Sequence, residues 1–521
     1  MSTPRLLPAL LVMGMLSAPA YAADVTAAQA DALQEQLRAW LASLTGPAVD
    51  VGKEPMKVTA DGDHFNVVLP APLMLSQAGF IEPGMAITMK AKPLEGGRFA
   101  LDDLKYPTPL KLMMPAGMIP VTPPDSPLPG GMPTPPSMAD LAKGAELSYS
   151  SMDFHAVLDP TYATTSSFDS ATTGFHFRGP NSDSTAARTV GHSIWQPVGD
   201  GHINIISEGM TEKSAGHVES KDGNGFDYTI ASSRSSSKAN AVSPASLAAL
   251  IRSVSALVPT LQDTQESLNP EQRALARTAV FALRDMFGGI ESHETMDKIV
   301  FTAAGHTASI ASAGLAARMG VEDGKLLVAN DITLQGFDSP EVPAGVYRDF
   351  LPRRFVLKPR ISGIPSEDLV KLLLRAIDSS QADLTELQDA AIGLLGAGPL
   401  EVAIDELALD LGRASLSGTG SLDIASPTDI AGEAEITVVG LDTMIKAANT
   451  TPELKQGAPV LIFLKGIGRQ EGDKTIWDIK YEDSKVTVND TDLSDLMPQP
   501  APPPPPPVKS VPRNRPTPKK K

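Results

Sequence analysis

The chain has 521 residues, a net charge of −17 and no cysteine. This length is ample for two or three domains, and the lack of cysteine excludes disulfides, thiol chemistry and a lipid-modified cysteine. An acidic chain repels phosphate backbones, so the composition also argues against nucleic-acid binding.

The first two dozen residues have the three parts of a secretory signal peptide. One arginine precedes an apolar run over 6–16, and a small-x-small cleavage site follows at Ala20 and Ala22. We expect cleavage before Ala23, which makes 1–22 a leader and the mature chain an exported protein. The apolar run is shorter than the roughly 20 residues of a spanning helix, and we expect no transmembrane segment after cleavage. An exported chain without disulfides fits the periplasm of a double-membraned bacterium.

The N-terminal region, 23–240, is predicted to hold one helix followed by β-hairpins. Thr26 and Gln29 have the spacing of a capping box, and apolar residues at helical spacing follow them. Glycine-containing turns at 61–62 and 96–97 then separate extended segments, and Ser/Thr-rich extended segments come later. Polar strands of this kind suit an antiparallel sheet with one face in water.

A loop dense in proline and methionine, 107–138, interrupts these strands. Its eleven prolines predict an extended linker or crossing loop without regular strand or helix. Thioether ligands select Cu(I), but the methionines here are irregularly spaced and no histidine lies beside them. We therefore expect them to pack the loop onto the body or onto a partner.

The region 241–497 is predicted to begin with helices and to end in strands. Helical patterns start at Ser243-Pro244 and at Asn269-Pro270, and a longer amphipathic stretch starts at Ser366. Alternation from 400 to 438 predicts strands. A short helix over 441–448 and a final hairpin that contains Trp477 are expected after them.

These patterns predict an α+β fold that is elongated and predominantly antiparallel β, with a few amphipathic helices and disordered Pro-rich segments. One stretch also carries a resemblance. An alternating segment ends in Ser417-Gly418-Thr419-Gly420-Ser421-Leu422, the next strand leads into Val439-Gly440-Leu441-Asp442, and the last hairpin ends in Val486-Thr487-Val488-Asn489. This order resembles an uncharacterised family of periplasmic proteins that is itself similar to AsmA-like and YdgA-like envelope proteins.

The resemblance covers about 298–490, and its motifs are patterns of alternation and turn. The family pattern usually has glycine after the terminal asparagine, whereas Asp490 stands there in this chain. The resemblance implies an elongated antiparallel β architecture and contributes no catalytic residue.

No motif in the sequence carries a chemical site. The hydrolase motif Gly-x-Ser-x-Gly is absent, and its nearest counterpart, 417–421, lies within alternating strands as a glycine-bearing bulge. His192 and His202 flank Trp195, but a third metal ligand is missing. The glycines of 393–398 have the wrong order and position for a dinucleotide loop. We therefore expect no catalytic, cofactor-binding or metal-binding residue and no cofactor.

Two features remain candidates for binding. Alternating leucines either line a lipid-accommodating groove or fill a core; they are Leu407, Leu409, Leu411 and Leu416.

The tail, 498–521, has six consecutive prolines, which predict a stiff polyproline rod of ~3.1 Å per residue. Its basic residues are Lys509, Arg513, Arg515, Lys519, Lys520 and Lys521, and it has no acid. Such a tail either attracts an anionic envelope surface or acidic protein, or is a spacer that aids solubility.

The sequence thus predicts a non-enzymatic, periplasmic envelope protein that binds or scaffolds lipid or another envelope component. Two alternatives stay open. One is a structural protein that bridges envelope layers through its tail, and the other is an exported hydrolase with an unrecognised site.

Overall fold

The computed structural model describes most of the chain between Asp24 and Leu493. The described residues are 24–45, 56–70, 85–112, 144–159, 164–219, 225–261, 268–286, 288–378, 390, 393–394, 399–426, 429–482 and 485–493. The expected cleavage site at Ala20, Ala22 and Ala23, most of the Pro/Met-rich loop and the basic tail lie outside them.

Within the described residues, twenty-two strands form one sheet. They are β1 (Lys57–Asp61), β2 (His64–Pro70), β3 (Ala86–Pro93), β4 (Phe99–Lys105), β5 (Leu110–Leu112), β6 (Ala145–Ser148), β7 (Ser151–Asp159), β8 (Thr164–Gly179), β9 (Ser182–Gly199), β10 (His202–Glu219), β11 (Gly225–Val242), β12 (Gly289–Ala303), β13 (His306–Glu322), β14 (Lys325–Asp338), β15 (Arg354–Pro365), β16 (Leu400–Asp410), β17 (Ser415–Ser426), β18 (Asp429–Val439), β19 (Arg469–Glu471), β20 (Lys474–Glu482), β21 (Lys485–Val488) and β22 (Thr491–Asp492). The helices are α1 (Ala27–Thr45), α2 (Pro244–Leu261), α3 (Pro270–Arg284), α4 (Val346–Asp349), α5 (Ser366–Asp378), α6 (Leu441–Thr450) and α7 (Ala458–Ile467).

The sheet is an antiparallel meander. β1 to β4 pair in order, β4 pairs with β7, and every strand from β7 to β17 pairs with its successor. β18 then pairs with β20, and β21 and β22 complete that edge. Because neighbours in sequence are neighbours in space, the sheet extends as one open, elongated layer. The predicted α+β, predominantly antiparallel class is confirmed.

Two predicted helix starts are confirmed by their capping contacts. At α1, the backbone N–H of Gln29 donates to Thr26 Oγ1 over 3.3 Å, and the N–H of Thr26 donates to Gln29 Oε1 over 2.8 Å. At α3, Asn269 and Gln272 exchange the equivalent bonds at 2.9 and 2.8 Å. Each box satisfies two backbone donors that a helix start otherwise leaves unpaired.

The expectation that 107–138 holds no regular strand was wrong at its beginning. Leu110–Leu112 form β5 and pair with β6. The three residues lie between prolines rather than on them, so each keeps its N–H, and Leu110 and Leu112 pack against a small core around Ile87 and Leu104. The rest of the loop lies outside the described residues.

Helices cover the two ends of the sheet. At the N-terminal end, α1 packs Ala30, Leu33 and Leu37 against a core that includes Phe65 and Val67. At the other end, a C-terminal core lies between the sheet and α6 and α7. Its members are Val438, Leu441, Trp477 and Val488, packed against Leu416, Ile436, Met444, Ile445, Leu461, Leu464, Ile467, Ile479 and Leu493.

A line of irregularities crosses the long middle strands at one level. Positive φ angles mark it on every second strand, at Gly174 (59°), Lys213 (51°), Lys298 (52°) and Gly336 (67°). Each of these residues is skipped in the pairing of its strand. The pairs on either side keep one register, so no residue is inserted and the line interrupts the pairing without forming a bulge.

Candidate functional site

Directly paired residues in an antiparallel sheet project from the same face, so the registers show which side chains share a face. Three rows cross β13 to β20 on one face, which we call the apolar face. The rows are Leu315, Ile332, Leu357, Leu407, Gly418, Ile436 and Trp477; Met319, Val328, Ile361, Val402, Leu422, Gly432 and Tyr481; and Ala313, Leu334, Phe355, Leu409, Leu416, Val438 and Thr475. Side chains on this face are almost all apolar.

Part of the apolar face is open to solvent. Five large apolar side chains on β13, β15 and β16 are exposed by more than a third: Leu315 44%, Met319 40%, Val321 47%, Ile361 42% and Ile404 38%. The neighbouring amphipathic helix α5 has no buried residue. An exposed apolar patch of this kind is uncommon on a soluble protein and marks a surface that contacts something else.

The leucines predicted from sequence fall on or beside this face. Leu407 pairs with Leu357, and Leu409 pairs with Leu416, all on the apolar face. Leu416 packs against the C-terminal core, whereas Leu407 and Leu409 are half-buried between that core and the exposed residues. Leu411 is also half-buried but follows the end of β16, where its N–H donates to Ala414. Leu416 therefore lies at the covered end of the face, and Leu407 and Leu409 lie one strand nearer to its open part.

The opposite face of the same strands, which we call the charged face, is covered by its own ion pairs. Arg360 contacts Glu401 at 3.0 Å and Asp405 at 3.1 Å, and Lys358 contacts Glu406 at 2.7 Å. The hydrogen bonds from Arg360 and then from Ser362 lower the pKa of Glu401.

Small and branched residues lie beneath these long side chains on the charged face. Val356 is only 1% exposed and Ala403 only 3%. Because long charged side chains cover apolar neighbours with their stems, the charged face needs no partner to be buried. The contrast leaves the apolar face as the unsatisfied surface of this region.

Polarity changes along the apolar face toward β10. The row through Leu315 continues to Glu294 on β12 and Ser235 on β11. Leu315, Ile332 and Ser235 line a concavity of about 580 Å³. This volume is typical of small-molecule sites, and the lining is mixed, because Glu294, Asn330 and Asp331 lie among the aliphatic side chains and hydroxyls.

A second arrangement was not predicted from the sequence. An imidazole–carboxylate row crosses β4 and β7 to β12, each member directly paired with the next: Asp102, His155, Asp169, His192, Glu208, Ser236 and His293. His155, Asp169, His192, Glu208 and His293 line a concavity of about 640 Å³. The members are far apart in sequence, so only the strand register could have revealed the row.

Hydrogen bonds within the row restrain the orientation of two imidazole rings. His155 Nδ1 lies 2.5 Å from Asp102 Oδ1, and His192 Nδ1 lies 2.7 Å from Asp169 Oδ1. The bond with Asp102, reinforced by the charges of Asp153 and Asp169, raises the pKa of His155. Among the described residues, no three potential ligands are arranged to hold a metal ion.

Other sequence candidates are not brought together. His192 pairs with Glu208, whereas His202 pairs with Gly199, so the two histidines lie at different levels of the sheet. The segment 417–421 lies in β17, and the bulge expected there lies instead in its partner β16, between Ile404 and Leu407. A Cβ on Gly418 would lie 2.7 Å from the carbonyl oxygen of Glu435, so this glycine permits close strand approach.

Comparisons with known proteins give no family for this chain: no protein-family model matches it, and no curated protein matches it. Within the described part of the chain, none of the helices combines the length and the apolar character needed to cross a bilayer.

Proposed function

We propose that this chain is an exported periplasmic envelope protein, related to the AsmA-like and YdgA-like proteins, that binds lipid acyl chains on its apolar face without catalysing a reaction. The observation that carries the proposal is the exposure of five large apolar side chains on one face of β13, β15 and β16. The signal-peptide pattern and the lack of cysteine support export to the periplasm.

The exposed side chains leave free energy that a ligand can gain. Fully burying one Leu, Ile, Val or Met side chain stabilises by about 1.5–3 kcal/mol, so a side chain that is close to half exposed leaves roughly 1 kcal/mol unrealised. Five such residues together amount to something on the order of 5 kcal/mol, before the entropy of binding is subtracted.

An amphiphile fits the face better than a purely apolar ligand does. An acyl chain placed along the rows would contact the aliphatic side chains of Leu315, Ile332 and Leu357. Its polar end would then lie toward β11 and β12, where Ser235 and Glu294 continue the same row. The change from aliphatic to polar partners within one row gives the ligand a direction.

Binding of a fluorescent fatty acid to the purified mature chain tests the proposal. Leu315→Asp and Met319→Asp put hydrated carboxylates on the apolar face, so each should weaken binding at least tenfold while the circular dichroism spectrum stays unchanged. The matched control is Val198→Asp on β9, because Val198 is 50% exposed but lies outside the three rows. Equal binding by the wild type and both face variants, or no binding by the wild type, would refute the proposal.

A further inference from the structure

One carboxylate interrupts the apolar face where aliphatic side chains give way to hydroxyls. The row through Leu315 continues as Glu294 on β12, Ser235 on β11 and Gly209 on β10. In the rows on either side, the same three strands contribute only apolar or hydroxyl-bearing side chains. Glu294 is therefore the single charged side chain that these rows place on the apolar face between β10 and β12.

The basic side chains of the neighbouring strands do not neutralise Glu294. Arg234 and Lys238 on β11 and Arg318 on β13 lie at an odd spacing from its row, which places them on the charged face. There Arg318 contacts Glu291 at 3.9 Å. Glu294 forms no ion pair within the part of the chain that the structure describes, although its side chain is half-buried. A half-buried carboxylate without a counter-ion leaves a favourable contact with a cation unmade.

The concavity of about 580 Å³ places hydroxyls beside this carboxylate. Ser207, Ser237 and Ser292 line it and are directly paired with one another in the row next to Glu294. Its other ionisable residues belong to the row on the charged face: Glu208, His293 and Asp331. Carboxylate and hydroxyl oxygens accept hydrogen bonds, so the complementary group is positively charged and has several N–H donors. A primary ammonium, with three donors, meets both requirements.

The aliphatic part of the same row begins one strand from Glu294. Leu315, Ile332, Leu357 and Leu407 follow it on successive strands. Because adjacent strands lie about 4.8 Å apart, the row measures about 19 Å from Glu294 to Leu407. A cationic group at Glu294 would therefore have a continuous aliphatic surface on one side, which suits an alkyl chain attached to it.

We propose that the amphiphile bound on the apolar face carries a protonated primary amine, which donates to the carboxylate of Glu294 while the alkyl chain lies along Leu315, Ile332 and Leu357. This inference rests on the proposed acyl-chain binding and adds the charge of the head group. A fatty-acid anion in the same position would bring a second carboxylate beside Glu294, and like charges repel. Glu294 thus selects among ligands of equal chain length by the charge of the head group.

Isothermal titration calorimetry of the purified mature chain with decylammonium, decanol and decanoate measures this preference at constant chain length. At neutral pH, decylammonium should bind at least tenfold more tightly than decanoate, with decanol between them. Glu294→Gln should remove most of that difference and leave the affinity for decanol unchanged. Glu294→Lys should reverse the order, because the new ammonium attracts decanoate and repels decylammonium. A purely structural role of Glu294 would not produce this reversal.

The matched control is Glu291→Gln, on the same strand but on the charged face. It removes one negative charge from an acidic chain, as Glu294→Gln does, so it separates a local contact from attraction to the net charge. This variant should keep the wild-type preference. Equal binding of decylammonium and decanoate, or a preference that survives Glu294→Gln, would overturn the amine assignment while binding of decanol upheld the acyl site. If none of the three ligands bound the wild type, the proposed function would fail and this inference with it.

Discussion

Replacing Ile361 by aspartate distinguishes an open apolar face from a closed core. Ile361 is 42% exposed on β15, so the new carboxylate can remain hydrated. The substitution forfeits somewhat more than half of the burial of one isoleucine, about 1–2 kcal/mol of unfolding free energy. The same substitution at Ile203 on β10, which is 0% exposed, would bury an unpaired carboxylate and cost several kcal/mol.

Urea denaturation followed by circular dichroism measures both variants. Ile361→Asp should unfold cooperatively with a modestly lowered midpoint and an unchanged slope, because the surface exposed on unfolding is nearly the same. Ile203→Asp should lose the cooperative transition or show a midpoint near zero urea. If Ile361→Asp is as destabilised as Ile203→Asp, the apolar face is closed in solution and the reasoning on acyl binding fails.

Two further predictions concern local interactions. Nuclear magnetic resonance titration should give His155 a pKa above its ordinary value, and the substitution Asp102→Asn should lower that pKa. The stabilisation that comes with the raised pKa is fully present below about pH 6.5 and is lost as the pH rises through the folded-state pKa. An unchanged pKa of His155 in Asp102→Asn would refute the assignment. Asn269→Ala should cost about 1 kcal/mol of unfolding free energy by removing the cap of α3, whereas Asn269→Ser, which keeps a capping oxygen, should cost less; equal losses in the two variants would show that the cap contributes nothing.

Features that depend on neighbouring residues were predictable from the sequence. The capping box at Thr26, the helix start at Asn269-Pro270 and the turn after β1 are local; the structure contains the first two, and the turn lies one residue later than predicted, at Gly62-Asp63. Their physical cause lies within a few residues, because a side chain caps a backbone group three positions away and a glycine turn joins adjacent strands.

The sequence analysis did not predict helix α7, because the spacing of its apolar residues favours neither a helix nor a strand. The run Pro459-Val460-Leu461-Ile462-Phe463-Leu464 is apolar at every position, so it shows neither alternation nor a 3.6-residue period. Pro459 at the first turn was the one local signal for a helix. The outcome depends on packing, because Trp477 Nε1 on β20 donates to the carbonyl oxygen of Leu464 over 2.9 Å and holds the helix on the sheet.

Alternation along a strand separates two faces but does not show which one is covered. On β15 it places Phe355, Leu357 and Ile361 together, which suggests a core, yet Ile361 is exposed while Val356 of the opposite face is buried. Arg360 and Lys358 lie on the same face as Val356 and form ion pairs with partners on β16, and these pairs require a register that the sequence does not contain. The imidazole–carboxylate row escaped prediction for the same reason.

The open and covered parts of the apolar face belong to the same rows. The row that begins at exposed Leu315 ends at Trp477 beneath α7, so the C-terminal core separates the open part of the apolar face from the outer side of α7. Because a packed core leaves no room for a ligand, an acyl chain on the open part would end against the side chains that α7 covers rather than pass beneath the helix. The length of the open part therefore limits how much of an acyl chain the face can bury.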